Sequence, residues 1–275
     1  GPGEAERIYK LYGDAVIRLM ERRTRGSVLQ LVSQWRELLA LLDEAAAAFA
    51  SMEASRPAGP RLPVVFLSGD QMAKGNDFAA GGAYAFLASQ GVRLVYEPIG
   101  DFLEFLSEVH PTLIFGRSSP AAQNAGYRLF MVQVRDAMYR RVRRLHRWLP
   151  LPDTRGAVAR AGELLHPATN GGSPYAVGNV LLKWEAGAYD GVLMASCWGC
   201  DNSLVEESLL RRRQEIPIYF FYDDGTPIDE HRLASFAHRM RRRAAGRGAR
   251  ELSSPPSRPS RARWGPRHQG ATLGE

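Results

Sequence analysis

The chain of 275 residues is 45% hydrophobic and 24% charged, a balance that suits one large or two small globular units. No apolar run approaches the ~18 residues a membrane span needs, and Gly1-Pro2-Gly3-Glu4 carries no charged-then-apolar export signal, so a cytoplasmic protein with no membrane partner is expected. The first residue is not Met, so a processed chain, or one whose beginning is missing, is expected.

Residues 4–24 and 27–50 place apolar side chains (Ile8, Leu11, Tyr12, Ala15, Ile17, Leu19) near helical spacing and predict two helices, a helical segment over 1–60 closed by a Pro/Gly-containing linker at 55–61. A compact apolar strand follows at 63–70, then a polar loop at 71–76. Asp77 is placed to cap a helix over 78–90, Gly91 to stop it, and 92–96 to form the next strand. Asp101 opens a helix over 102–108. A long helix is predicted over 121–148; its basic end (Arg135, Arg140, Arg141, Arg143, Arg144, Arg147) suits the negative end of a helix dipole. Beyond a turn at 171–174 come a helix at 176–186, a buried strand at 190–196, a helix at 201–213 and a strand at 217–222. A tight loop at 223–227 leads to a last helix from Asp229 to about residue 243. The alternation predicts an α/β fold, a Rossmann-like parallel sheet flanked by helices over 61–243.

Residues 244–275 are rich in Arg, Pro, Ser and Gly, and disorder is expected there. The net charge of +7 is concentrated toward this end: ten arginines from Arg239 onward face only Glu251 and Glu275. Only Trp264 could stack on a base in that stretch, and Arg outnumbers Lys 33 to 3 along the whole chain, so the basicity reads as composition and nucleic acid is not expected as a partner.

Ligands of open α/β sheets bind at the carboxyl ends of the strands. Three polar loops fall there, at 68–77, 196–202 and 223–229. The middle one holds the only two cysteines, Cys197 and Cys200, around Trp198 and Gly199. Thiols between a strand exit and a helix entrance meet backbone N–H groups and the positive end of the helix dipole, which predicts lowered thiol pKa values and metal, cluster or redox chemistry. Several readings share this spacing. Structural zinc needs four ligands, and the chain offers one Cys pair and six scattered His. A thiol oxidoreductase places its CxxC between strand and helix, here late in the sheet. An iron–sulfur cluster takes two thiolates as half of a set of four and needs the rest from elsewhere. Buried thiols acting as small hydrophobes complete the range. Trp198 either shields a metal centre or packs in the core. Asp223, Asp224 and Asp229 read as turn and cap residues, or as carboxylates orienting a substrate or the Cys loop. Lys74 and Asp77 face the same predicted edge as candidate substrate-side residues, with Lys74 a candidate contact to a phosphate or CoA.

The stretches Val177-Gly178-Asn179, Gly187 to Val192, Cys197 to Leu210, Ile216-Pro217-Ile218 and Tyr222 to Glu230 resemble the C-terminal portion of the 2-hydroxyglutaryl-CoA dehydratase / benzoyl-CoA reductase superfamily, in its branch of large CoA-substrate-specific activase-related proteins. Gly69 to Phe78 and Glu97-Pro98 through Phe105 are similar to the same branch, so the likeness spans about residues 60–243. The resemblance implies an iron–sulfur protein of anaerobic metabolism, with a [4Fe-4S] or double-cubane cluster between Rossmann-like lobes. Such a protein takes low-potential electrons from an ATP-dependent activase and passes them to an acyl-CoA or small-molecule substrate. If it is an enzyme, a 2-hydroxyacyl-CoA dehydratase-like or double-cubane-cluster reductase-like activity is implied. Cys197 and Cys200 match cluster-ligand positions, with Trp198 and Gly199 beside them. The ligand set is incomplete within the chain, which implies a preceding lobe or a partner subunit supplying further Cys. The alternatives are a non-catalytic lobe that docks to an activase and holds no metal, and a CxxC thiol oxidoreductase.

Overall fold

A computed structural model describes residues 3–22, 27–56, 59–76, 78, 80–116, 120–166, 169 and 171–246. Asp77 and the stretch from 247 to 275, with the expectations attached to them, lie outside the described residues. Four strands, β1 (Val64–Gly69), β2 (Arg93–Tyr96), β3 (Gly191–Cys197) and β4 (Ile218–Asp223), form one sheet in the order β2-β1-β3-β4. All pairings are parallel, with Val65 opposite Gly191 and Cys197 opposite Asp223. The fold is α/β, as the alternation of elements predicts.

Eleven helices complete the described chain: α1 (Glu4–Glu21), α2 (Val28–Ala54), α3 (Gln71–Gly75), α4 (Ala83–Ser89), α5 (Ile99–Val109), α6 (Pro111–Phe115), α7 (Ala121–Arg143), α8 (Thr154–Ala161), α9 (Ser173–Glu185), α10 (Asp201–Leu210) and α11 (Glu230–Gly246). The period of two along β1 and β3 divides the core between the two sheet faces. Val65, Leu67, Leu193 and Ala195 pack on one face with Tyr84 and Leu87 of α4 and Leu233, Phe236 and Met240 of α11. Val64, Phe66, Val192 and Met194 pack on the other with Val177, Val180 and Leu181 of α9 and Leu210 of α10. Both faces are therefore covered, and the two central strands are buried along their length.

Several boundaries differ from expectation for physical reasons. The loop predicted at 71–76 winds into α3 because the Asp70 carboxylate accepts from Met72 N and Ala73 N and caps it. The helix predicted from residue 78 starts instead at Ala83, after Gly81 and Gly82 at φ of 54° and 83°, and Phe78 is left in a turn. The helix predicted at 102 begins at Ile99, which places Asp101 inside its first turn, where it is buried. α7 stops at Arg143, and part of its basic end is engaged in ion pairs: Arg135 with Asp101 and Glu104, Arg140 with Asp136, and Arg141 with Asp43 of α2. α8 has no forecast; it is short, and Asp153 caps it through Gly156 N. α11 continues to Gly246 with Ala244 buried, beyond the boundary expected at 243.

Candidate functional site

β1 and β3 are the strands at which the order of the sheet changes direction, and a parallel sheet opens a crevice at the carboxyl ends of such a pair. Gly69 ends β1 at φ 106°, and a Cβ there would stand 2.1 Å from the Ala195 carbonyl oxygen. Only glycine lets the two strands run this close at their exit. Asp70 N then donates to Ala195 O at 2.8 Å. Across the crevice, β3 runs out into Cys197-Trp198-Gly199-Cys200. This is a tight turn, closed by Cys200 N donating to Cys197 O at 3.3 Å, with Gly199 at φ 77°. Cys200 is the residue preceding α10, its N-cap. Cys197 Sγ donates to Asp70 Oδ1 at 3.4 Å, so the thiol pair and the capping carboxylate of α3 share the switch point.

Both thiols are unbridged and half-buried. Cys197 is not activated in the way its position suggests. Burial pushes its thiol up to about 11, helped by the charge and hydrogen bond of Asp70 and by Cys200 and Asp223. Cys197 ends the strand and faces a carboxylate, whereas the N-terminus of α10 begins at Cys200. Trp198 is 73% exposed and meets Tyr222 edge-on, with ring centroids 5.9 Å apart, which rules out a core-packing role.

The other candidates separate. Asp223 lies opposite Cys197 in the strand register, and its backbone oxygen accepts from Trp198 N. Asp224 is exposed and accepts from Thr226 N and Oγ1, which holds its carboxyl below the usual range. Asp229 caps α11 through Arg232 N. These are the bonds of a turn and a cap. Lys74, expected as a phosphate or CoA contact, is buried and ion-paired with Glu97 at 2.6 Å.

Beneath the turn lies a cavity of about 60 Å³. Its lining includes Asp70, Glu97, Phe102, Gly172, Cys200 and Glu206. Glu206 is 3% exposed, its Oε2 has no hydrogen-bond partner, and burial with the nearby Glu97 and Asp70 charges pushes its carboxyl up to about 8, against Lys74. Ser173 Oγ, at the start of α9, donates to Asn202 Oδ1 at 3.0 Å and fixes the starts of α9 and α10 to each other. A larger open groove, about 490 Å³, is lined by Ala15, Leu19, Glu37 and Leu41 between α1 and α2, apart from these groups.

A buried polar chain leads away from the cavity. Glu97 accepts from Lys74 Nζ and from Asn179 Nδ2, both at 2.6 Å. Asn179 also donates to the Tyr175 hydroxyl, which donates to Asp101, which pairs with Arg135. Glu97, Asn179, Tyr175 and Glu206 carry no motif of their own. The signal that could have found them is a polar side chain at a position where strand or helix periodicity calls for an apolar one.

Among the described residues no three His, Cys, Asp or Glu side chains converge as a metal-binding group. The chemistry of two neighbouring thiols suits an iron–sulfur cluster, but their number supplies half of a four-thiolate set. No protein-family model, no curated protein and no solved structure matches the chain. No helix among the described residues is long and apolar enough to cross a membrane.

Proposed function

We propose that this chain is the cluster-bearing C-terminal lobe of an iron–sulfur dehydratase- or reductase-like protein. It contributes Cys197 and Cys200 to a cluster whose remaining thiolates come from another lobe or subunit. A bound cluster would supply low-potential single electrons, received from an ATP-dependent activase and passed to an acyl-CoA or small-molecule substrate. The observation that carries the reading is the placement of both free thiols at the switch point of a parallel sheet, one tight turn apart, at an edge left apolar on its outer side. Met72, Phe78, Ile99, Trp198 and Leu204 follow the carboxyl ends of β1, β2 and β3, and all five are strongly exposed. An apolar rim around a polar crevice suits coverage by a second protein surface, which would keep water from the thiols.

The chain's own residues have definite roles in this scheme. Gly69 and Gly199 set the backbone so that the two loops meet. Asp70 holds the Cys197 proton, which metal binding must release. Trp198 stands at the rim, where a covering lobe would bury it. In the protein expressed from its complete reading frame and purified without oxygen, the reading predicts a brown product with broad visible absorbance that Cys197→Ser and Cys200→Ser each diminish. A colourless, iron-free product would overturn it. A second reading, a docking lobe without metal, draws on the same rim. It predicts unchanged folding and partner binding in both Ser variants, and no iron in the parent.

A further inference from the structure

The hairpin of α1 and α2 carries a surface that the rest of the chain leaves open. Leu19 is the one buried side chain of α1, and Leu39 and Ala46 are those of α2. Helices in proteins take most of their stability from packing an apolar face, and these two pack little of theirs. The ties that hold α1 run to α2: Arg22 pairs with Glu37, and Gln34 Nε2 donates to the Leu19 and Arg22 carbonyls. The second half of α2 is fixed in turn to the body of the molecule, by Asp43 to Arg141, the Ala46 carbonyl to His146 and Glu53 to Arg93. One long side of the hairpin, the groove of about 490 Å³, is left uncovered.

The groove has the pattern of a helix-packing seam. Ala15, Arg18 and Arg22 stand at i, i+3 and i+7 on α1, and Glu37, Ala40, Leu41 and Glu44 at i, i+3, i+4 and i+7 on α2. Leu11, one turn before Ala15 on the same stripe, is 61% exposed. The floor is apolar, and Ala15 and Ala40 are small enough to let another helix come close. The rims carry opposite charge, Arg18 and Arg22 on α1 against Glu37 and Glu44 on α2. Arg22 and Glu37 satisfy each other. Arg18 and Glu44 are exposed, and neither has an ion-pair partner among the described residues.

We infer that this groove is a dimer interface, occupied by α2 of a second copy of the chain. A two-fold interface uses one patch twice, so the patch must complement itself. An axis parallel to the hairpin keeps every residue at its own height and lays α2 of one copy beside α1 of the other, antiparallel. Arg18 of each chain then comes opposite Glu44 of the other. Side chains lean toward the N-terminus of their helix, which in antiparallel helices inclines these two toward each other. An axis across the hairpin would instead bring α1 to α1 and set arginine against arginine. The seam is about 27 Å long, the length of the 18-residue α1, and two helices wide. Such a footprint is on the order of the ~800 Å² that each partner gives to a standard specific interface. The groove lies apart from the cysteine turn, so the inference stands with or without a cluster.

The test is sedimentation velocity of the full chain at low ionic strength over a wide range of concentration. The wild-type protein is expected to approach twice its 30.5 kDa chain mass as concentration rises. Arg18→Glu and Glu44→Arg each set like charges face to face at two places, and each should weaken association by about tenfold or more. Both side chains are on the surface, so circular dichroism should show wild-type helix content in both variants. The double variant Arg18→Glu/Glu44→Arg restores the opposition and should dimerise like the parent. An equimolar mixture of the two single variants is the sharpest sample. In their heterodimer both contacts again join opposite charges, so the mixture should associate where neither variant does alone. A charge pair confined to one chain cannot give that result. A monomer at every concentration, association unchanged in both single variants, or a mixture that stays monomeric would overturn the inference.

Discussion

The two sides of the sheet's carboxyl edge handle polar groups in opposite ways. On the β2 side, Lys74, Glu97, Asn179, Tyr175, Asp101 and Arg135 form a buried chain in which each member has a partner. On the β3 side, the thiols are unbridged, Glu206 Oε2 is orphaned and Trp198 stands exposed. Buried charges with matched partners hold a structure in one arrangement, and removing one partner leaves the other stranded. Groups without partners have bonding capacity to offer a ligand. The contrast separates a side whose buried polar groups are matched from one with bonding capacity left over, although both lie within one crevice.

The largest expected effect tests the fully partnered side. Lys74→Met strands Glu97 in the interior and should cost about 3–5 kcal/mol in chemical denaturation. Adding Glu97→Gln to it should recover much of the loss. A loss under about 1 kcal/mol would show that the pair is not buried as described.

Next in size is the pH dependence imposed by Glu206. Its folded carboxyl titrates at about 8 against an ordinary 4.5, so the folded state holds this proton more tightly than the unfolded chain. Stability is therefore highest below pH 4.5 on this account and falls as pH rises toward 8, by a total on the order of 4 kcal/mol. Asp101, raised by burial to about 6, contributes a fall of the same sign at lower pH. Glu206→Gln keeps Asp101 and should remove only the Glu206 part, so the difference between the two denaturation-versus-pH curves isolates it. Parallel curves would contradict the assignment.

A smaller effect concerns thiol reactivity. Alkylation at Cys197, followed by mass spectrometry, should be slow at neutral pH and accelerate toward pH 11. Asp70→Asn keeps a residue able to cap α3 but removes the charge, and should speed labelling several-fold at pH 8. The smallest change expected is in the stability of Trp198→Ala, within about 0.5 kcal/mol, because the ring is mostly in solvent. A large loss there would place Trp198 in the architecture after all.

How much of this was legible in the sequence follows from the range of the forces involved. Strands β1 and β3 are continuous apolar runs buried on both faces, a local signal, and the alternation with helices announced the parallel sheet. Gly91 and Gly187 end their helices at φ of 75° and 67°, as their positions suggested. The cysteine turn was visible because its spacing is a motif. The partners of the site were not. Asp70 meets Cys197 across 127 residues and Glu97 meets Asn179 across 82, and such contacts exist only once the strand order is known. The same distance in sequence explains the misjudged thiol. Position at a helix start was readable and favours a lowered pKa, while the facing carboxylate and the burial that prevail at Cys197 are tertiary. Lys74 likewise read as a ligand contact because its partner, Glu97, lies 23 residues away beyond β2.

The claim that the open side of the crevice is half of a cluster site is most directly tested by one number. That number is iron and acid-labile sulfide per chain in the oxygen-free protein from the complete reading frame, compared with its Cys197→Ser/Cys200→Ser double variant. The account predicts iron and sulfide in equal amounts in the parent and a loss of most of both in the double variant. Iron absent from the parent, or present equally in the two proteins, would contradict it.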